Sequence, residues 1–396
     1  MAPKPFDIRC MNVRYSPNLG DGLLAECLEW ALHAQGAIAS SCDLAARIQY
    51  GDDMLGRGQI LAVLHTLPPR LRQLAVRLPL ALQVKRKWSP HYGTSLAGAD
   101  GMVIGGGNLL ADLDLNFPTK LALALDHAAT RNLKTAIFGC GMSSGWTPEG
   151  IRRVNRALER AHPHAVYLRD ARSCDLWNDL FAKVSGRTAK QVRDPGLLAS
   201  LVWPADRPAA DTANATVGIG VMSHVAVRYH GNASMTETDM LGWYKDLVQN
   251  LVSRGIKVVA FTNGSPEDIQ AAKALRDALT PEIATQVRFE QPKTPEQLAQ
   301  LIATFRALAA FRMHAVIAAY SYGVPTLALS WDEKLKSFMT SVNQADKLVD
   351  IADINAGAAS ARLADMLDIK TDQGGRHDVI ADALNDVAKL YISLSS

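Results

Sequence analysis

Several absences narrow the field before any motif is read. The five cysteines (Cys10, Cys27, Cys42, Cys140 and Cys174) are odd in number and show no C-x-x-C spacing. Neither a disulfide framework nor a zinc knuckle is indicated, and core or loop thiols are expected. No uncharged apolar run approaches the ~18 residues of a membrane span. The opening MAPKPFDIRCMNVRYS lacks the apolar stretch of a secretory signal, so a cytoplasmic location is expected. No G-x-G-x-x-G or Walker loop occurs, which leaves nicotinamide and ATP binding without a sequence signal. Acidic residues are missing from 54–99, where Arg57, Arg70, Arg72, Arg77, Lys85, Arg86 and Lys87 supply the charge.

What is there is an ordinary globular composition. The 396 residues are 48% hydrophobic and 20% charged, with a net charge of only +3. At about 100–200 residues per domain, two domains are expected. In the acid-free segment 54–99, Leu, Val and Trp interleave with the cations in PPRLRQLAVRLPLALQVKRKW. It reads either as an interfacial stretch meeting an anionic membrane or as the solvated basic face of a helical hairpin. Pro79 would break any single long helix there. Nucleic acid is not an expected partner, because no aromatic-rich module accompanies the charge.

Short apolar runs alternate with longer amphipathic ones, the pattern of an α/β protein with parallel sheets. IRCMNVRY, GMVIGG, TAIFGCG and AVYLRD read as buried strands in the first half, and TVGIGVM, IKVVAFTNG, LAAF and TLALS in the second. Among the helices, SPEDIQAAKALRDAL begins with Ser265 as N-cap, Pro266 at the first position and acids in the first turn. Another runs from about Met313 to Tyr322, stopped by Gly323 and Pro325. The predicted organisation is a doubly wound Rossmann-like domain at 1–204, a Pro/Ala/Asp-rich linker at 205–216 and a second such domain at 217–372. A C-terminal helix at 373–396 would pack back on the first domain. Two such domains are expected to face a cleft, with ligands outside the carboxyl ends of the strands.

In LAAFRMHAVIAAYSYG, Arg312 and His314 interrupt an otherwise apolar segment. An unpaired buried charge is costly, so the two must be paired or face a pocket; the sequence favours the pocket. Both fall at the carboxyl end of one predicted strand, and WDEK, ending in Lys334, leaves the next strand at the same edge. Three cationic side chains and a helix N-terminus would then meet one small anion bearing phosphate, carboxylate or both. A single histidine at a helix start is commonly structural; the three together favour a site. Arg228, in SHVAVRYHG with His224 and His230, could add a further cation or belong to a solvated loop. Arg169 and Asp170 read as a structural ion pair at a strand end. In NLGDGLL, Asn18, Gly20 and Asp21 follow the first strand, with Asp21 a candidate helix cap. GGGNLL, with Gly105, Gly106, Gly107 and Asn108, repeats a glycine loop at another strand end.

FRMHAVIAAYSYGVPTLALSWDEK resembles the C-terminal signature of the polysaccharide pyruvyl transferase family: R-x-H, then G-V-P, then an acid and a lysine. NLGD, GGGNLL, YLRDARS, DPGLL and TNGSPED follow the family's order, and the resemblance runs from about residue 12 to 340. FGCGMSSG departs from the family's usual loop. The resemblance implies two Rossmann-like domains similar to GT-B glycosyltransferases. It also implies phosphoenolpyruvate as donor and a sugar of a surface polysaccharide or its precursor as acceptor. Two sugar hydroxyls add to the donor's C2 and phosphate leaves, making a pyruvate ketal. Arg312, Lys334 and Arg228 are candidates for donor binding. His314, with Arg312, is the candidate for catalysis, either protonating the donor's methylene or taking a proton from the attacking hydroxyl. Asn18, Gly20, Asp21 and Gly105 to Asn108 are candidates for acceptor contact. No cofactor or metal is expected. A lipid-diphosphate-linked acceptor at an anionic membrane fits the basic segment. The competing readings are a nucleotide-sugar glycosyltransferase of GT-B architecture and a non-catalytic carbohydrate-binding protein.

Overall fold

The computed structural model describes residues 4–51, 79–112, 114–205, 215–224, 236–369 and 373–396. Its strands form two six-stranded parallel sheets. The first runs β2 (Ile38–Asp43), β1 (Asp7–Asn12), β3 (Gly101–Gly105), β4 (Lys134–Cys140), β5 (Ala165–Leu168) and β6 (Lys190–Gln191). The second runs β12 (Leu348–Val349), β11 (Thr326–Leu329), β10 (Ala307–Ala310), β7 (Thr216–Gly220), β8 (Lys257–Phe261) and β9 (Val287–Glu290). Strand order reverses once in each sheet, between β1 and β3 and between β7 and β10. Such reversals leave a crevice at the carboxyl ends of the two strands, where α/β proteins bind ligands.

Several interior strands are wholly apolar, as expected where helices cover both faces, although β1 (DIRCMN) carries Asp7, Arg9 and Asn12. GMVIG, ALAA and TLAL are buried at every position. Small residues in β7 have a packing cause. A Cβ on Gly218 would overlap the Phe305 ring, and one on Gly220 would lie 3.0 Å from the Ala310 Cβ. All eight strands read from the sequence are present. The four it did not predict (β2, β6, β9 and β12) are the four edges, short or partly polar segments that carry no continuous apolar run.

Contacts divide the chain into two compact units. One comprises Met1–Ser16, Leu24–Pro195 and Asp382–Ser396; the other comprises Pro17–Leu23 and Gly196–Ala381. In the first, Asp386 of the Gln373–Ser395 helix accepts the Arg193 N–H at 2.9 Å, and Ser393 meets the Tyr167 hydroxyl at 3.1 Å. In the second, the Pro266–Ala278 helix has Pro at its start and acids in its first turn, but Ser265 makes no side-chain cap bond. The Met313–Tyr322 helix ends at Gly323 with φ 70°, where a left-handed residue is needed.

Of the basic segment, residues 54–78 with Arg57, Arg70, Arg72 and Arg77 lie outside the described residues. Lys85 and Arg86 are exposed. Trp88 is buried under the Lys120 ammonium, 4.8 Å from the ring centroid, so it belongs to the core rather than to an interfacial face. No helix among the described residues is long and apolar enough to cross a membrane.

All five cysteines are free and buried. Burial pushes the thiols of Cys42 and Cys140 up to about 12 and that of Cys174 to about 11, while thiolate is the reactive form. The folded protein is therefore expected to resist a disulfide reagent such as DTNB at pH 8, and the denatured chain to release five equivalents. Fast reaction of any thiol in the folded protein would contradict the core placement.

Candidate functional site

The site is built at the strand-order reversal of the second sheet, between β7 and β10. Beyond Ala310 the chain leaves the sheet through Phe311, fully buried, and then Arg312, which occupies the N-cap position of the Met313–Tyr322 helix in extended conformation. Arg312 is paired, contrary to the expectation that it faces a pocket unpartnered. Its Nε and Nη2 each donate to the Asp268 carboxylate at 2.9 Å. Asp268 is fully buried and also accepts the Ser223 N–H at 2.9 Å. Burial pushes the Asp268 carboxyl above its ordinary value, and the Arg312 charge and Ser223 N–H offset part of that rise. Three neighbouring strand exits (β8 through Asp268, β7 through Ser223, β10 through Arg312) are thus tied to one carboxylate. Tyr244 adds a further tie at β7, where its hydroxyl accepts the Met222 N–H and donates to the Gly220 carbonyl.

His314 sits on the first turn of the helix and is 8% exposed. The intrahelical ladder starts with Ala315 and Val316 donating to the Arg312 carbonyl, so the positive helix end lies beside the imidazole. Against the ring lies Gly20, where an added Cβ would fall 2.6 Å from His314 Nδ1 and 2.7 Å from its Cβ. Asp21 brings a carboxylate oxygen to 4.0 Å from the same Nδ1. Asp21 is the third residue of the Leu19–Ala34 helix, and its cap is Asn18, whose side-chain oxygen faces the Gly20 N–H at 3.4 Å. That corrects the expectation that Asp21 caps the helix.

The Pro17–Leu23 stretch is held on the β8 exit. The Leu19 N–H donates to the Asn263 carbonyl at 2.7 Å. Gly264, with φ 94°, lies where a Cβ would come within 2.7 Å of the Pro17 carbonyl oxygen, so glycine is required twice over. Asn263 is 1% exposed, and its Nδ2 has no acceptor among the described residues. Sequence reading missed Asp268, Ser223, Tyr244 and Asn263. Asp268 looks like an ordinary first-turn acid, and only its complete burial marks it.

Lys334 follows β11, which pairs with β10 through Ala310↔Ala328, so the two exits leave adjacent positions of one sheet edge. Its ammonium lies 3.7 Å from Asp332, the side-chain cap of the Glu333–Ser341 helix. Arg228 and His230 lie outside the described residues. A cavity of about 530 Å³ opens beside β12, lined by Asp346, Asp350, Asp353 and Arg362 among others; none of the candidate residues lines it. No cluster of three His, Cys, Asp or Glu able to hold a metal occurs among the described residues.

In the first unit, the glycine loop follows β3. Gly106 and Gly107 have φ 80° and 68°. A Cβ on Gly105 would meet Leu28 at 2.7 Å, and one on Gly106 would meet Leu24 at 3.3 Å, so helix packing also demands small residues there. Asn108 donates to the Ser143 hydroxyl at 2.8 Å. Arg169 is buried between Asp194 at 3.5 Å and Asp170 at 3.7 Å, and Asp170 caps the next helix by accepting the Ser173 N–H.

The arrangement provides a nearly buried imidazole beside a carboxylate and a guanidinium locked in place, both at a helix N-terminus. Such a spot attracts an anion and can exchange a proton with it. A family model described as polysaccharide pyruvyl transferase matches residues 18–333. No curated protein matches the chain. Among solved structures, a UDP-N-acetylglucosamine 2-epimerase from Listeria monocytogenes aligns with TM-score 0.54 at 12% identity over 98% of this chain and 95% of its own. The UDP-GlcNAc 2-epimerase from Methanocaldococcus jannaschii aligns at 0.53 and 10% identity over 99% and 100%. The trehalose-6-phosphate synthase OtsA aligns at 0.51 and 11% over 98% and 96%. At these identities the likeness concerns the fold, two α/β units of the kind found in GT-B glycosyltransferases and these epimerases.

Removing Asp268 tests the architecture directly. Asp268→Ala strands a partly buried guanidinium and is expected to cost about 3 kcal/mol, measured by urea unfolding. A loss below ~1 kcal/mol would mean that the pair does not organise the strand exits.

Proposed function

The chain belongs to the polysaccharide pyruvyl transferase family, and on that premise we propose that it moves the pyruvyl group of phosphoenolpyruvate onto two hydroxyls of a sugar in a surface polysaccharide or its lipid-linked precursor. The observation that carries the reading is the pairing of Arg312 and His314 at the reversal point of the second sheet, with the Lys334 loop on the adjoining strand. Phosphoenolpyruvate bears a phosphate of about −1.5 to −2 charge and a carboxylate, so it needs several donors of positive charge. Arg312 retains Nη1 beyond its Asp268 contacts, and Lys334 adds an ammonium near Asp332. Arg228 is assigned to the same donor set from sequence alone.

His314, as imidazolium, gives its proton to the methylene carbon. The C=C electron pair forms the new C–H bond and leaves C2 electron-deficient, stabilised by its ester oxygen. One sugar hydroxyl adds to C2 and gives its proton to the now neutral His314, phosphate departs with the C2–O electron pair, and the second hydroxyl closes the ketal as its proton passes to the departing phosphate. The products are the ketal and inorganic phosphate. Arg312 and Lys334 oppose the charge that builds on the departing phosphate. No metal or cofactor enters the scheme. Acceptor contacts are assigned to Asn18, Gly20, Asp21 and the Gly105–Gly107 loop with Asn108. A cytoplasmic enzyme acting on a lipid-diphosphate acceptor at an anionic membrane face fits the basic segment.

Incubation with phosphoenolpyruvate and a panel of lipid-linked or aryl glycosides, followed by mass spectrometry, is expected to give a product heavier by one pyruvyl ketal, with release of phosphate. His314→Ala should lower kcat by about 10²–10⁴-fold with little change in donor binding. Lys334→Ala should chiefly raise the KM for phosphoenolpyruvate. Thermal protection by nucleotide sugars but not by phosphoenolpyruvate would instead assign the site to glycosyl transfer.

A further inference from the structure

We propose that Asp21 is the positioning residue of His314: its carboxylate faces Nδ1, fixes which ring nitrogen carries the proton in the neutral form, and keeps the imidazolium populated so that Nε2 delivers the proton. The inference rests on the pyruvyl-transfer reading for its catalytic consequence, but its physical core stands on geometry alone.

His314 is 8% exposed and lies on the first turn of its own helix. The first turn of a second helix, beginning at Leu19, abuts the ring through Gly20. Two positive helix ends and burial all disfavour the imidazolium. A general acid at this position needs a compensating negative charge.

Among the described residues, Arg312 and Lys334 are the cations at the strand exits that meet here. Arg312, on the same helix end, is locked to Asp268 from the Pro266–Ala278 helix. Lys334, at the neighbouring strand exit, lies 3.7 Å from Asp332. Each of these two cations therefore has a carboxylate of its own. Asp21 stands in the same relation to His314, 4.0 Å from Nδ1.

The 4.0 Å separation is beyond hydrogen-bond length, within the range at which an opposite charge still acts on the ring. The close packing of Gly20 against Nδ1, Cβ and Cγ of the imidazole limits rotation of the ring, which keeps Nδ1 on the Asp21 side. A carboxylate at Nδ1 favours the tautomer with its proton there and leaves Nε2 to exchange a proton with substrate. This is the division of labour by which a carboxylate orients a catalytic histidine in hydrolases.

The test uses the full chain labelled with ¹³C,¹⁵N-histidine, with the His314 signal assigned by its loss in His314→Gln. In the wild-type protein, the ¹⁵N shifts of neutral His314 are expected to report the proton on Nδ1. Asp21→Asn is expected to lower the His314 titration midpoint by about one unit or more. The alkaline limb of kcat/KM should move down by the same amount, with little change in the KM for phosphoenolpyruvate. Asp21→Glu should restore part of the shift. An Nε2-protonated neutral ring in the wild type, or a midpoint unmoved in a folded Asp21→Asn, would overturn the proposal. The wild-type tautomer decides it even where the variant fails to fold. Because the NMR readout needs no substrate, absence of pyruvyl transfer with a normal Asp21 effect would sink only the functional reading. Pyruvyl transfer without that effect would sink only this inference.

Discussion

The buried Asp268–Arg312 pair is the constraint from which the rest of the site follows. A fully buried carboxylate can persist only if its lone pairs are satisfied. Here they are met by the two guanidinium nitrogens and the Ser223 amide. Because those donors come from the exits of β10 and β7, and the carboxylate from the helix after β8, the requirement fixes three loops at once. Arg312 is then held by two hydrogen bonds, and His314, two residues on, inherits its position from it. The small residues of β7 and β10 serve the same end, letting the strands and Phe305 close beneath the site without a void.

The electrostatics of this sheet edge follow one pattern. Arg312 faces Asp268, Lys334 lies near Asp332, and His314 lies near Asp21. A cluster of cations with no counter-charges would be expensive to hold together before ligand arrives, and its lysine and histidine would shed their protons. Pairing each with a carboxylate lowers the cost of holding like charges at one edge. It also leaves the helix N-terminus and the remaining guanidinium nitrogen to engage an anion.

Much of the fold was legible because interior strands of a parallel sheet are covered on both faces and so read as unbroken apolar runs. GMVIG, ALAA and TLAL leave little choice. The edges were illegible for the complementary reason: IASSCD, KQ, VRFE and LV are too short or too polar to stand out. At the site, Arg312 and His314 were legible as polar intrusions into an apolar segment, and the family motifs gave them context. Their partners were not. Asp268 lies 44 residues from Arg312 in sequence and wears the pattern of a helix start. Asn18, Gly20 and Asp21 belong by motif to the loop after β1, and nothing in their spacing reveals that Gly20 and Asp21 lie against His314.

The grouping of Pro17–Leu23 with Gly196–Ala381 bears on how this protein can be dissected. A polypeptide starting at the second sheet would retain all six of its strands, yet lose the glycine that buttresses the imidazole and the acid that faces it. Its amino-terminal turn would have to be supplied as a separate peptide or spliced on. Recombination between relatives at the linker faces the same hazard, since a swapped second half would meet a foreign version of the turn it needs to complete its own histidine.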